Sequence, residues 1–148
     1  MIALSRTRPH SINIFAAAFL ASALIALLYG LGNIAGMQVL MRESAPDIAW
    51  SRDAVIVALS ARFSIALIPI AMVWFSAVRF ARWMVTVMAL GKLVNLPDGL
   101  RAMADGGAID TAWLVSLALG LLAVAMLFTP ASNRWFADKD EADPAIFE

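Results

Sequence analysis

Two basic residues, Arg62 and Lys92, stand inside long apolar stretches of the chain, where their charge is available for binding chemistry. An ionised group at bilayer depth is costly, and it marks a functional site unless it reaches water or a partner. Arg62 lies 17 residues before Arg79, about 25 Å along a helix. With Arg79 at the inner surface, Arg62 falls near the outer hydrocarbon boundary, where its side chain can snorkel to phosphate headgroups. Lys92 lies ten residues after Arg82, about 15 Å, nearer the middle. Its plainer reading is an outward reach along the apolar stem towards Asp98 or a headgroup. The sharper reading is that Arg62 and Lys92 converge on an anionic ligand or lipid headgroup between the second and third apolar stretches.

Other reactive groups are scarce. There is no cysteine, which excludes disulfides, thiolate metal sites and cysteine nucleophiles. The single histidine, His10, precedes every apolar stretch, so the interior lacks the usual ligands for haem or zinc, and neither a cofactor nor a metal site is expected. No Asp or Glu lies inside an apolar stretch, although proton-coupled pumps generally need an intramembrane carboxylate or imidazole. With no carboxylate pair, Ser-His pair or Gly-rich phosphate loop, no catalytic residue is assigned and an enzyme is not expected. Glu43, Asp47 and Asp53 read as a solvated loop, since their spacing fits no calcium template. Eleven Lys and Arg balance eleven Asp and Glu, which gives nucleic acid no basic surface to meet.

The elements that position these residues follow from composition. Of 148 residues, 62% are hydrophobic and 15% charged, with a mean hydropathy of +0.82. A soluble domain carries about a quarter of its residues charged. The apolar residues fall into four stretches, giving spans at about 14–41, 54–78, 81–98 and 112–129, against the ~20 helical residues that a bilayer requires. The third has an apolar core of only 14 residues, Trp83 to Leu96, and must borrow length from its ends. Arg6 and Arg8 resemble the basic start of a signal peptide. The run after them far exceeds a signal h-region and carries Tyr29, Asn33 and Gln38 without a cleavage site, so it reads as one retained helix. The expectation is an all-α membrane protein, a four-transmembrane-helix bundle with short loops over residues 1–136. Residues 137–148 form an acidic, disordered cytoplasmic tail.

Orientation follows from flanking charge. Arg6, Arg8, Arg79, Arg82, Arg134 and Lys139 fall on one side, against Arg42, Arg52 and Arg101 on the other. The positive-inside rule places both termini in the cytoplasm of a bacterial inner membrane. Trp50 and Trp113 at the outer edge, with Trp83 and Trp135 at the inner edge, match an interfacial aromatic belt. In the outer link from Pro97 to Thr111, Arg101 and Asp105 can support one helical turn.

Helices in lipid associate by close backbone approach and interhelical hydrogen bonds. Ala18, Ser22, Ala26 and Gly30 form a small-residue stripe on the first span, with Gly32 and Gly36 as a second pair. Ala112, Ser116 and Gly120 repeat the spacing on the fourth, which predicts that spans one and four touch. Tyr29 and Asn33 share a face suited to helix-to-helix hydrogen bonding, and Pro69 predicts a kink in the second span.

Arg79 to Trp83, Leu127-Phe128-Thr129-Pro130 and Trp135-Phe136 resemble the cytoplasmic edges of small bacterial tetraspan proteins, a resemblance that brings no activity with it. The functional expectation is a non-catalytic inner-membrane protein acting by association, as accessory subunit or scaffold, with lipids and other membrane subunits or its own copies as partners. The alternative is an oligomeric small transporter or channel for an anion or amphiphile, using Arg62 and Lys92.

Overall fold

The computed structural model describes residues 9–76, 79–94, 96–97 and 111–141, and among these it is all helical, with no strand. Six helices are described, in order α1 (His10–Gly32), α2 (Ile34–Ser44), α3 (Arg52–Ser76), α4 (Arg79–Leu93), α5 (Thr111–Leu127) and α6 (Pro130–Glu141). Two of them, α1 and α3, are long and apolar enough to cross a membrane. At 23 and 25 residues they reach about 35 and 37 Å. The 15 residues of α4 and 17 of α5 cover about 22 and 25 Å. α5 reaches spanning length only together with α6, from which it bends by 55°.

The first apolar stretch is not one helix. It breaks at Asn33, whose backbone (φ −126°, ψ 51°) leaves the helical region. The N–H of Asn33 still closes α1 on the carbonyls of Tyr29 and Gly30, while its side-chain oxygen accepts from the Gly36 N–H at 3.3 Å and opens α2. Asparagine competes for nearby backbone groups in this way and favours helix starts over interiors. Asn33 therefore serves its own chain segment rather than a neighbouring helix.

α1 makes its broadest contact with α5 and its next with α3; α3 also packs on α4, and α4 on α5. These four helices close a ring. Phe15, Phe19, Val73, Val85, Ala123 and Leu127 fill it, with Phe15 and Phe19 stacked at 5.9 Å. Ser51 starts α3 by accepting from the Ala54 N–H at 3.1 Å, and α3 continues as one helix through the buried Pro69. Gln38 on α2 donates to the Trp50 carbonyl at 3.1 Å, which ties the C-terminal end of the first stretch to the approach to α3.

At the opposite end the chain turns at Phe128 and Thr129 into α6. Ser132 is buried there, meeting the Ser11 hydroxyl at 2.8 Å and donating to the Met126 carbonyl at 2.7 Å. Arg82 of α4 donates through Nη2 to Asn133 Oδ1 at 2.7 Å and lies over the rings of Phe128 and Phe136, at 4.5 and 5.0 Å. α6 extends to Glu141, so the start of the expected tail, residues 137–141, is helical. Residues 142–148, and Arg101, Asp105 and the pair Gly106-Gly107, lie outside the described residues.

Candidate functional site

Lys92 sits at the last turn of α4 and extends across the ring to α1 and α5. Its Nζ donates to Ser22 Oγ at 2.6 Å and to Ser116 Oγ at 2.9 Å. The two serines already clasp each other. Ser22 Oγ donates to the Ser116 carbonyl at 2.6 Å, Ser116 Oγ donates to the Ser22 carbonyl at 2.9 Å, and the hydroxyl oxygens are 3.2 Å apart. Both serines are buried. Lys92 is thus directed at the serines of α1 and α5, and Asp98, the expected end of an outward reach, lies outside the described residues. Side chains on a helix lean towards its N-terminus, so a lysine near the end of α4 points back along the ring rather than beyond it.

Proton accounting fixes the direction of these bonds. Each serine hydroxyl has one proton, and each is directed at a carbonyl of the facing helix. Both oxygens are left as acceptors, which suits solvation of an ammonium. For Lys92 to act as a base towards Ser22, that proton would first have to leave the Ser116 carbonyl. An ammonium carries three donors. Among the described residues two of them are engaged, leaving one N–H for a further acceptor.

Beside this node lies a cavity of about 290 Å³, bounded by α1, α3 and α4. Ser22, Arg62 and Lys92 supply its polar wall, and Phe19, Leu59, Phe63, Ala66 and Met88 its apolar wall. The structure therefore brings Arg62 and Lys92 to one space, walled by the first apolar stretch as well as the second and third. Arg62 is exposed and Lys92 half-buried. Among the described residues no carboxylate lines the cavity and no ion pair to either cation is found.

The remaining expected packing residues divide. Ala18, Ser22 and Gly30 are buried and Ala26 is half-buried. Gly30 faces α3 rather than α5: a Cβ there would meet both Leu59 methyl carbons at 2.9 Å. The reason is helical geometry, because a row at i, i+4 winds about 40° per step and turns about 120° between Ala18 and Gly30. Gly120 lies under the clasp, its added Cβ 3.6 Å from Ser22 Oγ, and Ser116 is buried beside it; Ala112 is half-buried. Gly32 and Gly36 are not brought together against a neighbour. Gly32 has nothing within 4 Å of an added Cβ, and Gly36 abuts the Asn33 side chain.

The four expected anchors also differ. Trp50 is half-buried and donates to the Ala45 carbonyl at 3.2 Å, while Trp83 is exposed and meets Phe128 edge-on at 6.0 Å. Trp113 and Trp135 are half-buried, the latter edge-on to Phe136 at 5.2 Å. No group of His, Cys, Asp and Glu suited to a metal ion occurs among the described residues. What sequence reasoning missed is the serine pair as ligand to Lys92. The signal was present, since Ser22 and Ser116 are polar members of otherwise apolar stripes. No family model, no curated protein and no solved structure matches this chain.

Proposed function

We propose that the chain is a four-crossing membrane protein, both termini cytoplasmic in a bacterial inner membrane, that binds the anionic headgroup of an amphiphile in the α1–α3–α4 cavity. The observation that carries this reading is a cavity with two cationic side chains and, among the described residues, no lining carboxylate, joined to an apolar wall. Unpaired charge in hydrocarbon calls for a counter-charge, and a wall of Phe19, Leu59 and Phe63 calls for an apolar chain attached to it. α4 and the α5–α6 pair supply the third and fourth crossings, the bilayer thinning around the short α4.

The test is electron spin resonance of spin-labelled amphiphiles with the protein in phosphatidylcholine nanodiscs. An anionic head is expected to give a larger immobilised fraction than a phosphocholine head, and Arg62→Gln with Lys92→Gln to erase the difference. Equal fractions for both heads on the wild-type chain would refute the reading.

One observation favours a second reading, action by association with its own copies or other subunits. On α4 and just beyond it, Phe80, Trp83, Val87, Leu90 and Val94 are all at least half exposed and recur with alternating steps of three and four residues. That is the seam spacing of knobs-into-holes packing. Cross-linking from Val87→Cys that yields only monomer would count against it.

A further inference from the structure

The charge of the cavity narrows its ligand, and we infer, resting on the amphiphile-binding reading, that the preferred headgroup is a phosphate monoester. Among the described residues, Arg62 and Lys92 are the only titratable ones lining the cavity, and together they bring two positive charges and no negative one. A fatty carboxylate or a phosphodiester head brings a single negative charge and leaves one cation uncompensated at membrane depth. A phosphate monoester carries about −1.5 to −2 near neutral pH, with a second pKa of about 6.

The donors agree with the charge. The guanidinium of Arg62 presents paired N–H groups whose fork matches two phosphate oxygens. Lys92 is fixed by Ser22 and Ser116 at 2.6 and 2.9 Å and, among the described residues, keeps one N–H for a third oxygen. Ser22 and Ser116 are thus positioning residues for the site as well as a helix contact. The cavity, about 290 Å³, is at the small end of ligand pockets and suits a head with the first part of one chain.

The experiment uses the full chain in phosphatidylcholine nanodiscs and three probes: dodecyl phosphate, methyl dodecyl phosphate and inorganic phosphate. At pH 7.5 and equal bilayer mole fraction, dodecyl phosphate is expected to displace a spin-labelled anionic amphiphile at least about tenfold more effectively than its methyl ester. The preference should fade as the pH falls below about 6, where the monoester becomes singly charged. Arg62→Gln or Lys92→Gln should remove it, and the pH series on the wild-type chain tests the idea should either variant fold poorly. Displacement by inorganic phosphate assigns the source to a free anion, and its failure to displace assigns it to a lipid head. Equal displacement by the two dodecyl compounds, with anionic heads still favoured over phosphocholine, overturns the monoester assignment alone. No preference for any anionic head overturns the binding reading beneath it.

Discussion

Ser22 Oγ lies 2.6 Å from Lys92 Nζ and 2.6 Å from the Ser116 carbonyl oxygen, so one buried hydroxyl joins α4, α1 and α5. A small polar residue on a stripe of small residues thereby does two things. It permits the close approach of α1 and α5, and it supplies an acceptor for the cation that faces the cavity.

Removing that hydroxyl should reveal the coupling. Ser22→Ala is expected to destabilise the fold by ~1–2 kcal/mol, through the lost interhelical bond and the poorer solvation of Lys92. In a Lys92→Met background the same substitution should cost about half as much. A double-mutant cycle of unfolding in mixed micelles measures this, and strict additivity would remove the proposed link between the two residues.

The glycines give an internal control. Gly30→Ala should lower stability by up to ~2 kcal/mol, since its Cβ meets the Leu59 methyl carbons at 2.9 Å and the overpacking of ~1–3 kcal/mol exceeds the ~1 kcal/mol that alanine gains in a helix. Gly32→Ala meets nothing within 4 Å and should be neutral or stabilising by up to ~1 kcal/mol. Equal effects would contradict the described α1–α3 approach.

Arg82 holds the bend between α5 and α6. Its Nη2 bonds Asn133, its plane covers Phe128 and Phe136, and its Nε is buried without a hydrogen-bond partner among the described residues. Arg82→Lys keeps the charge but loses the planar fork and much of the ring contact. Amide exchange in α6 should then rise several-fold, while that of α1 stays unchanged. Unaltered α6 protection would show that the buried Phe136 and the Ser11–Ser132 contact secure the helix without Arg82.

The absence of native cysteine makes topology directly measurable. Single cysteines at His10 and Ala137 should react with an impermeant maleimide only from the cytoplasmic side, and one at Asp47 only from the outside. Labelling of His10→Cys and Ala137→Cys from opposite sides would exclude an even number of crossings.

Hydrophobicity carried much of the fold in the sequence, because apolar length is read in one dimension. The expected spans at 14–41 and 54–78 follow from it and cover most of α1 and α3, and the small-residue stripes carried the contact of the first span with the fourth. The break at Asn33 was not legible. It depends on a side chain choosing the Gly36 N–H over a neighbouring helix, a choice that apolar content does not record. The facing of Gly30 towards Leu59 was likewise hidden, since equal spacing along a stripe conceals its winding around the helix. For the site, both cations were visible as charges out of place. Their partners were not, because the direction of a lysine stem is set by the helix end that carries it and by which helices close the ring.

Native mass spectrometry of the intact chain, released from its own membrane, tests the central claim most directly. The account predicts a retained anionic amphiphile on the wild-type protein, lost from Arg62→Gln/Lys92→Gln while the mass of the folded chain is otherwise preserved. Identical lipid retention by both proteins would contradict an anion site at Arg62 and Lys92.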